Sequence, residues 1–263
     1  MSLLAVEGLA VGHGGGPPVL SGIEFRIAPG ERIGLVGPNG AGKTTLLLAL
    51  TGVLPAAAGG IRLDGRLLAL NGFTPEIALV FQQAHDQLFC PTVAEDVAFG
   101  ARNVGLGGAA LDRAVAAALQ AVGIASLADR PIHHLSGGEQ RLACLAGVLV
   151  MSPRILLLDE PSGALDLRNR RRLIELLRGL AQAMLIASHD LELVLELCPR
   201  VMLIDDGGIV ADGPAAAVLG DAALMAAHGQ EIPHSLTRHV GEGHRHPVAG
   251  PTARPGKAAV AGA

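Results

Sequence analysis

The sequence predicts an α/β fold whose parallel-sheet core is interrupted by a helical insert. Short apolar runs at 33–36, 155–158 and 184–187 each end in a polar or glycine-rich turn and lead into a helix. Strands alternating with helices imply a parallel sheet with ligands bound beyond the strand C-termini. From Thr92 to Met151 the apolar spacing becomes mainly helical. A glycine-rich loop, 37–42, joins the first of these strands to a helix.

Taken in order, Ile23-Glu24-Phe25-Arg26-Ile27 alternates with period two and stops at Pro29-Gly30, which reads as a strand and a turn. Residues 33–36 form a buried strand, and 43–50 form a helix closed by Gly52. Segments 61–63 and 66–70 flank Asp64-Gly65, a hairpin signal, and 77–81 is a further strand. The insert covers about 86–152. Within it, Thr92 with Glu95 and Ser136 with Glu139 fit the S/T-x-x-E helix-start box, and an alanine-rich helix over 111–122 stops at Gly123. Two short helices are expected in 214–231, after a main domain of 1–213. Segment 232–263 is rich in Pro, Gly and His and is expected to be flexible.

Composition narrows the role. A chain of 263 residues, half of them apolar, buries a core without staples. Five Phe, no Trp and no Tyr leave few surfaces for stacking bases, and a net charge of −4 gives no general attraction to nucleic acid or anionic lipid. Nucleic acid is therefore not an expected partner. Cys90, Cys144 and Cys198 are widely spaced and odd in number, which fits a reducing compartment. The N-terminus lacks the basic start of a secretory signal. The uncharged run 142–151 is about half the ~20 residues a membrane span needs. A soluble protein is expected, its membrane role supplied by a partner.

Gly37-Pro38-Asn39-Gly40-Ala41-Gly42-Lys43-Thr44 matches G-x-x-x-x-G-K-[ST] without deviation, with a strand before it and a helix after it. In such a loop backbone amides curl around phosphate oxygens, and the helix N-terminus adds partial positive charge. Lys43 supplies a full charge to the β- and γ-phosphates, and the Thr44 hydroxyl is placed to ligate Mg²⁺. Residues 155–158 lead into Asp159-Glu160. Asp159 is the expected Mg²⁺ ligand, through water, and Glu160 the residue that polarises attacking water. Two neighbouring carboxylates repel unless a cation lies between them.

Leu135-Ser136-Gly137-Gly138-Glu139-Gln140 is by itself an ordinary capped helix start. Placed 23 residues before Asp159 and after a phosphate loop, it resembles the LSGGQ-type signature of ABC nucleotide-binding domains. The resemblance covers about 3–213. It implies a P-loop NTPase (RecA-like) core with an N-terminal antiparallel β subdomain and a helical signature subdomain. It implies that Thr45 joins the phosphate-binding set and that Gln82 is the Q-loop glutamine, linking γ-phosphate, water and Mg²⁺ to a transmembrane partner. Gly163-Ala164-Leu165-Asp166 matches the D-loop, and His189 in Ser188-His189-Asp190 matches the γ-phosphate-sensing switch histidine. His13 aligns where relatives usually place an adenine-stacking tyrosine, and a plain turn histidine is the competing reading. The resemblance further implies a head-to-tail dimer, of the chain with itself or a paralogue. Each ATP then lies between Lys43 of one copy and Ser136, Gly137, Gly138 and Glu139 of the other.

Two roles fit such a domain: a transporter motor, or a soluble ABC ATPase of DNA repair, chromosome organisation or translation. Only 54 positions separate Gln82 from Ser136, too few for the long coiled coil of the repair type, and the translation type has tandem domains. Gln82-Gln83-Ala84-His85-Asp86-Gln87-Leu88-Phe89 resembles the Q-loop region of energy-coupling-factor (ECF) ATPases, with Ala84-His85 in place of the usual Pro-Asp. That resemblance implies an importer with a T-type transmembrane coupling subunit and a substrate-binding membrane subunit, with the ATPase on the cytoplasmic face of the membrane. His228, His234, His239, His244 and His246 suit Ni²⁺, Co²⁺ or Zn²⁺. Residues 231–236 also look like the tail of cobalt/nickel ECF ATPases. The expected cargo is cobalt or nickel, with another ECF cargo such as a vitamin as the alternative.

Overall fold

In the computed structural model, which describes residues 2–12, 16–69, 72, 74–163 and 165–237, two sheets share one apolar core. The first sheet is antiparallel, in the order β2 (Leu20–Ile27), β1 (Leu4–Val11), β4 (Ala56–Leu63), β5 (Arg66–Leu67). The second contains β3 (Arg32–Val36), β6 (Ile77–Val80), β7 (Ile155–Asp159), β8 (Ala183–Ala187), β9 (Arg200–Asp205) and β10 (Gly208–Pro214), in the order β10-β9-β3-β8-β7-β6. Its pairings are parallel except that of β10 with β9.

The continuous apolar runs are strands covered on both faces. In β7, Ile155 and Leu157 point into the core shared with β1, β2 and α1 (Lys43–Leu50), while Leu156 and Leu158 point into a second core under the helices. Met184 and Ile186 of β8 face the helices, and Leu185 faces the other way. The second core also takes residues from α2 (Val93–Asn103), α3 (Gly108–Ala121), α4 (Gly137–Leu149), α5 (Leu167–Gly179) and α6 (Leu191–Leu197). Helices α2 to α4 lie between β6 and β7 in the chain, where the helical spacing begins and ends. Both helix-start boxes form as read: Thr92 caps α2 with Glu95, and Ser136 caps α4 with Glu139.

Two local readings need correction. The strand after Asp64-Gly65 ends at Leu67, and Leu70 lies outside the described residues. The β9–β10 hairpin was legible but unread: Asp206-Gly207 repeats the Asp64-Gly65 signal, and both pairs have positive φ, 48° and 78° in each case. Such two-residue turns match the twist of the strands they join. The chain then continues through α7 (Ala215–Gly220) and α8 (Ala222–Ala227).

Candidate nucleotide-binding site

Leu35 of β3 and Asp159 of β7 both pair with Ala187 of β8, so three strands end side by side. Beyond that level lie the glycine-rich loop, Glu160 and Ser188-His189, while Gln82 follows the adjacent β6. They enclose a cavity of about 520 Å³ lined by Asn39, Gly40, Gly42, Lys43, Thr44, Thr45, Gln82, Asp159, Glu160 and His189. Gly37, Pro38 and Ala41 shape the loop from behind. A Cβ on Gly37 would sit 2.0 Å from the Ile204 carbonyl oxygen, so only glycine lets β3 turn there. Ala41 packs into the inter-sheet core, and Gly42 caps α1 in the left-handed conformation (φ 97°).

The charges are held in detail. Lys43 Nζ donates to the carbonyls of Gly37 (2.7 Å) and Pro38 (2.9 Å). Burial pulls its ammonium below the ordinary lysine value, against the opposing charges of Glu160 and Asp159. Thr44 Oγ1 donates to Asp159 Oδ2 at 2.8 Å. Burial raises the Asp159 carboxyl; the Thr44 bond offsets part of that rise, and the neighbouring Glu160 adds to it. Glu160, 7% exposed, holds a left-handed backbone (φ 45°), an uncommon conformation that its surroundings must enforce. Its amide donates to the Ala187 carbonyl. Its carboxylate accepts the His189 amide (3.0 and 3.2 Å) and the Ser188 hydroxyl (3.3 Å), and lies 2.7 Å from His189 Nδ1. The His189 ring is 71% exposed and open to the cavity.

Four residues of the predicted set lie elsewhere. Ser136, Gly137, Gly138 and Glu139 form the N-terminus of α4, outside this cavity. Glu139 accepts from the Ser136 amide (2.8 Å) and hydroxyl (2.8 Å), and these bonds hold its carboxyl below the usual range. A Cβ on Gly138 would meet the Asn169 side chain at 2.9 Å, so the signature segment rests against α5. His13 lies outside the described residues, as do Ala164 and the histidines at 239, 244 and 246. His228 Nδ1 is 2.8 Å from Asp205 Oδ2, a bond that ties the end of α8 to β9. Among the described residues no group of three or more His, Cys, Asp or Glu could hold a metal ion.

Sequence reasoning missed Arg141. It is 6% exposed on α4, and its guanidinium donates to the carbonyls of Phe81 and Gln82. Gln87 reinforces the link: its Oε1 accepts from the Phe81 amide and its Nε2 donates to the Cys144 carbonyl. The helix that begins at the signature is thereby tied to the Q-loop. The available signal was a lone arginine heading an uncharged apolar run, which marks a buried charge with a fixed partner.

Comparison with known proteins gives the family. The family model described as ABC transporter matches residues 20–163. A Synechocystis sp. protein named only as an ABC transporter ATP-binding protein is 49% identical, over 89% of this chain and 82% of its own length. The cobalt import ATP-binding protein CbiO of Rhodobacter capsulatus is 42% identical, over 88% and 85%. The energy-coupling factor transporter ATP-binding protein EcfA of Methanothermobacter thermautotrophicus is 37% identical, over 89% and 78%. The solved structure of CbiO1 from Clostridium perfringens, described as part of the ABC transporter complex cbiONQ, superposes with a TM-score of 0.75 at 33% identity, covering 86% of this chain and 94% of that one.

Proposed function

Because the chain belongs to the ABC transporter ATP-binding family, as an ATPase of the ECF/CbiO-like importer branch, we propose that it drives uptake of cobalt or nickel ions. The observation that carries the mechanism is the convergence of Lys43, Thr44, Gln82, Asp159, Glu160 and His189 on one cavity from four neighbouring strand ends. The cargo reading is supported by the CbiO relative and the cbiONQ neighbour. Uptake of labelled Co²⁺ by cells that make the chain with its membrane partners tests it.

In this reading the loop amides and Lys43 bind the triphosphate of ATP. Thr44, Asp159 and Gln82 offer hard oxygen donors, with the Glu160 carboxylate next to that of Asp159, a set that suits Mg²⁺. Bound there, Mg²⁺ would neutralise charge on the β- and γ-phosphate oxygens. Glu160 orients and polarises the attacking water, its carboxylate aimed by Ser188 and the His189 amide. His189 and Gln82 contact the γ-phosphate. The segment from Ser136 to Glu139, outside the cavity, meets the nucleotide of a second copy or a paralogue in a head-to-tail dimer. The adenine-stacking role is assigned to His13 by the family resemblance alone, against a plain turn histidine, since it lies outside the described residues.

The division into an ATPase domain (1–213), two short helices (214–231) and a tail (232–263) is part of the same proposal. So is docking to a T-type coupling subunit and a substrate-binding subunit on the cytoplasmic face of the membrane. No helix among the described residues is long and apolar enough to cross a membrane.

Replacing Glu160 by Gln tests the site. ATP binding is expected to persist and a nucleotide-dependent dimer to accumulate in gel filtration, while turnover falls by about 100-fold or more. Near-normal hydrolysis by that variant would remove Glu160 from the mechanism.

A further inference from the structure

The turn that aims Glu160 is braced from outside the cavity. Arg170, on α5, makes a two-pronged bond to Asp190: Nε to Oδ2 at 2.7 Å and a terminal nitrogen to Oδ1 at 3.0 Å. Both side chains are largely withdrawn from solvent, 24% and 22% exposed, which sets this pair apart from the exposed arginine pairs whose net worth is small. Asp190 uses all its acceptor capacity, since Oδ1 also takes the Leu193 amide and Oδ2 the Ser162 hydroxyl. Its own amide donates to Ser188 Oγ at 3.0 Å, and that hydroxyl donates to Glu160 Oε2. Ser162 stands two residues after Glu160, in the turn closed by the Gly163 amide on the Glu160 carbonyl. Asp190 therefore holds the chain on both sides of the Glu160 carboxylate, through its carboxylate at Ser162 and its amide at Ser188, and Arg170 is its only charged partner among the bonds described.

We propose that Arg170 is a positioning residue for hydrolysis, acting through Asp190 on the Ser188-His189 turn that aims Glu160. It touches neither the cavity nor the reacting atoms. It over-determines a backbone that Glu160 holds in an unfavourable region, and small misplacements of a catalytic group cost rate out of proportion to stability. The inference rests on the reading of Glu160 given above. Arg171 supplies a control on the same helix: its more exposed side chain bridges α5 to α6 through Glu196 and, among the bonds described, has none to Asp190, Ser188 or Ser162.

The experiment compares Arg170→Ala, Arg170→Lys and Arg171→Ala in the full chain, reading Tm together with kcat and KM for ATP. Arg170→Ala is expected to lower kcat about tenfold with KM changed by less than about twofold. Arg170→Lys, which keeps the charge but loses the two-pronged geometry, is expected to recover part of that loss. Arg171→Ala is expected to change Tm little and to keep wild-type kcat. If Arg170→Ala lowers Tm but keeps wild-type kcat, as Arg171→Ala does, the positioning role is overturned and the pair is structural. Wild-type turnover by Glu160→Gln in the same assay would instead overturn the reading of the site.

Discussion

The glycine-rich starts of α1 and α4 differ in what already occupies them. At α1 the N-cap is Gly42, with no side-chain cap and no acid in the first turn, and the amides face a cavity that also holds Lys43. At α4 the N-cap is Ser136, its box is closed by Glu139, and Ser136 and Gly137 lie on the surface. A helix N-terminus attracts anions through its free amides and its dipole. The first start keeps that capacity for a ligand. The second is closed by its own carboxylate, so in the proposed head-to-tail dimer a phosphate reaching it competes with Glu139. The difference fits the proposal that α1 makes its site within a single chain and α4 makes one with a second copy.

The largest expected effect tests the first start. Lys43→Ala should weaken ATP binding by more than about 100-fold, because it removes the buried charge that the proposed site offers to the triphosphate. Equilibrium dialysis with labelled ATP measures this, and an affinity within a few-fold of wild type would make the loop a structural turn. The next effect tests the second start against an internal standard. Thr92 and Ser136 make chemically equivalent boxes, so Thr92→Ala and Ser136→Ala should each cost about 1 kcal/mol of stability. Only Ser136→Ala should also lower turnover, by about tenfold. Equal turnover by the two variants would reduce the signature to a helix cap and erase the contrast between the two starts.

Much of this was legible because local chemistry and global fold agree. The phosphate loop, both capping boxes and the helix over Lys43–Leu50 were readable, since each is set by residues within one turn of one another. The acids at the end of β7 were readable because an apolar strand has to stop where polar chemistry starts. What could not be read was the bracing. Arg141 meets Phe81 and Gln82 some 60 positions away, and Arg170 meets Asp190 across 20. Neither pairing leaves a periodic trace. A sequence shows which groups bear charge, and only the packing of α4 on the Q-loop and of α5 on α6 shows which partner each charge has. His228 is the opposite lesson. Counted among metal-binding candidates by composition, it is held by Asp205.

A third helix start gives the smallest effect. The first turn of α6 is capped by Asp190 and carries Glu192, whose carboxylate accepts the Ser235 amide (2.9 Å) and hydroxyl (2.7 Å). Here the acid of the first turn reaches outward and holds the C-terminal segment, where Glu139 of α4 turns back on its own cap. The Ser235 hydroxyl and then its amide hold the Glu192 carboxyl below the usual range, in spite of some burial. A carboxyl depressed in the folded state stabilises it above the unfolded value and loses that contribution as pH falls through the folded one. Ser235→Ala should therefore lower Tm by about 1 °C near neutral pH, and the gap should close as the solution is taken below about pH 4. Thermal melts of the two proteins across that range decide the point. A gap independent of pH would mean that the hydroxyl stabilises the segment without the Glu192 charge, and α6 would then belong with α4, as a start that satisfies itself.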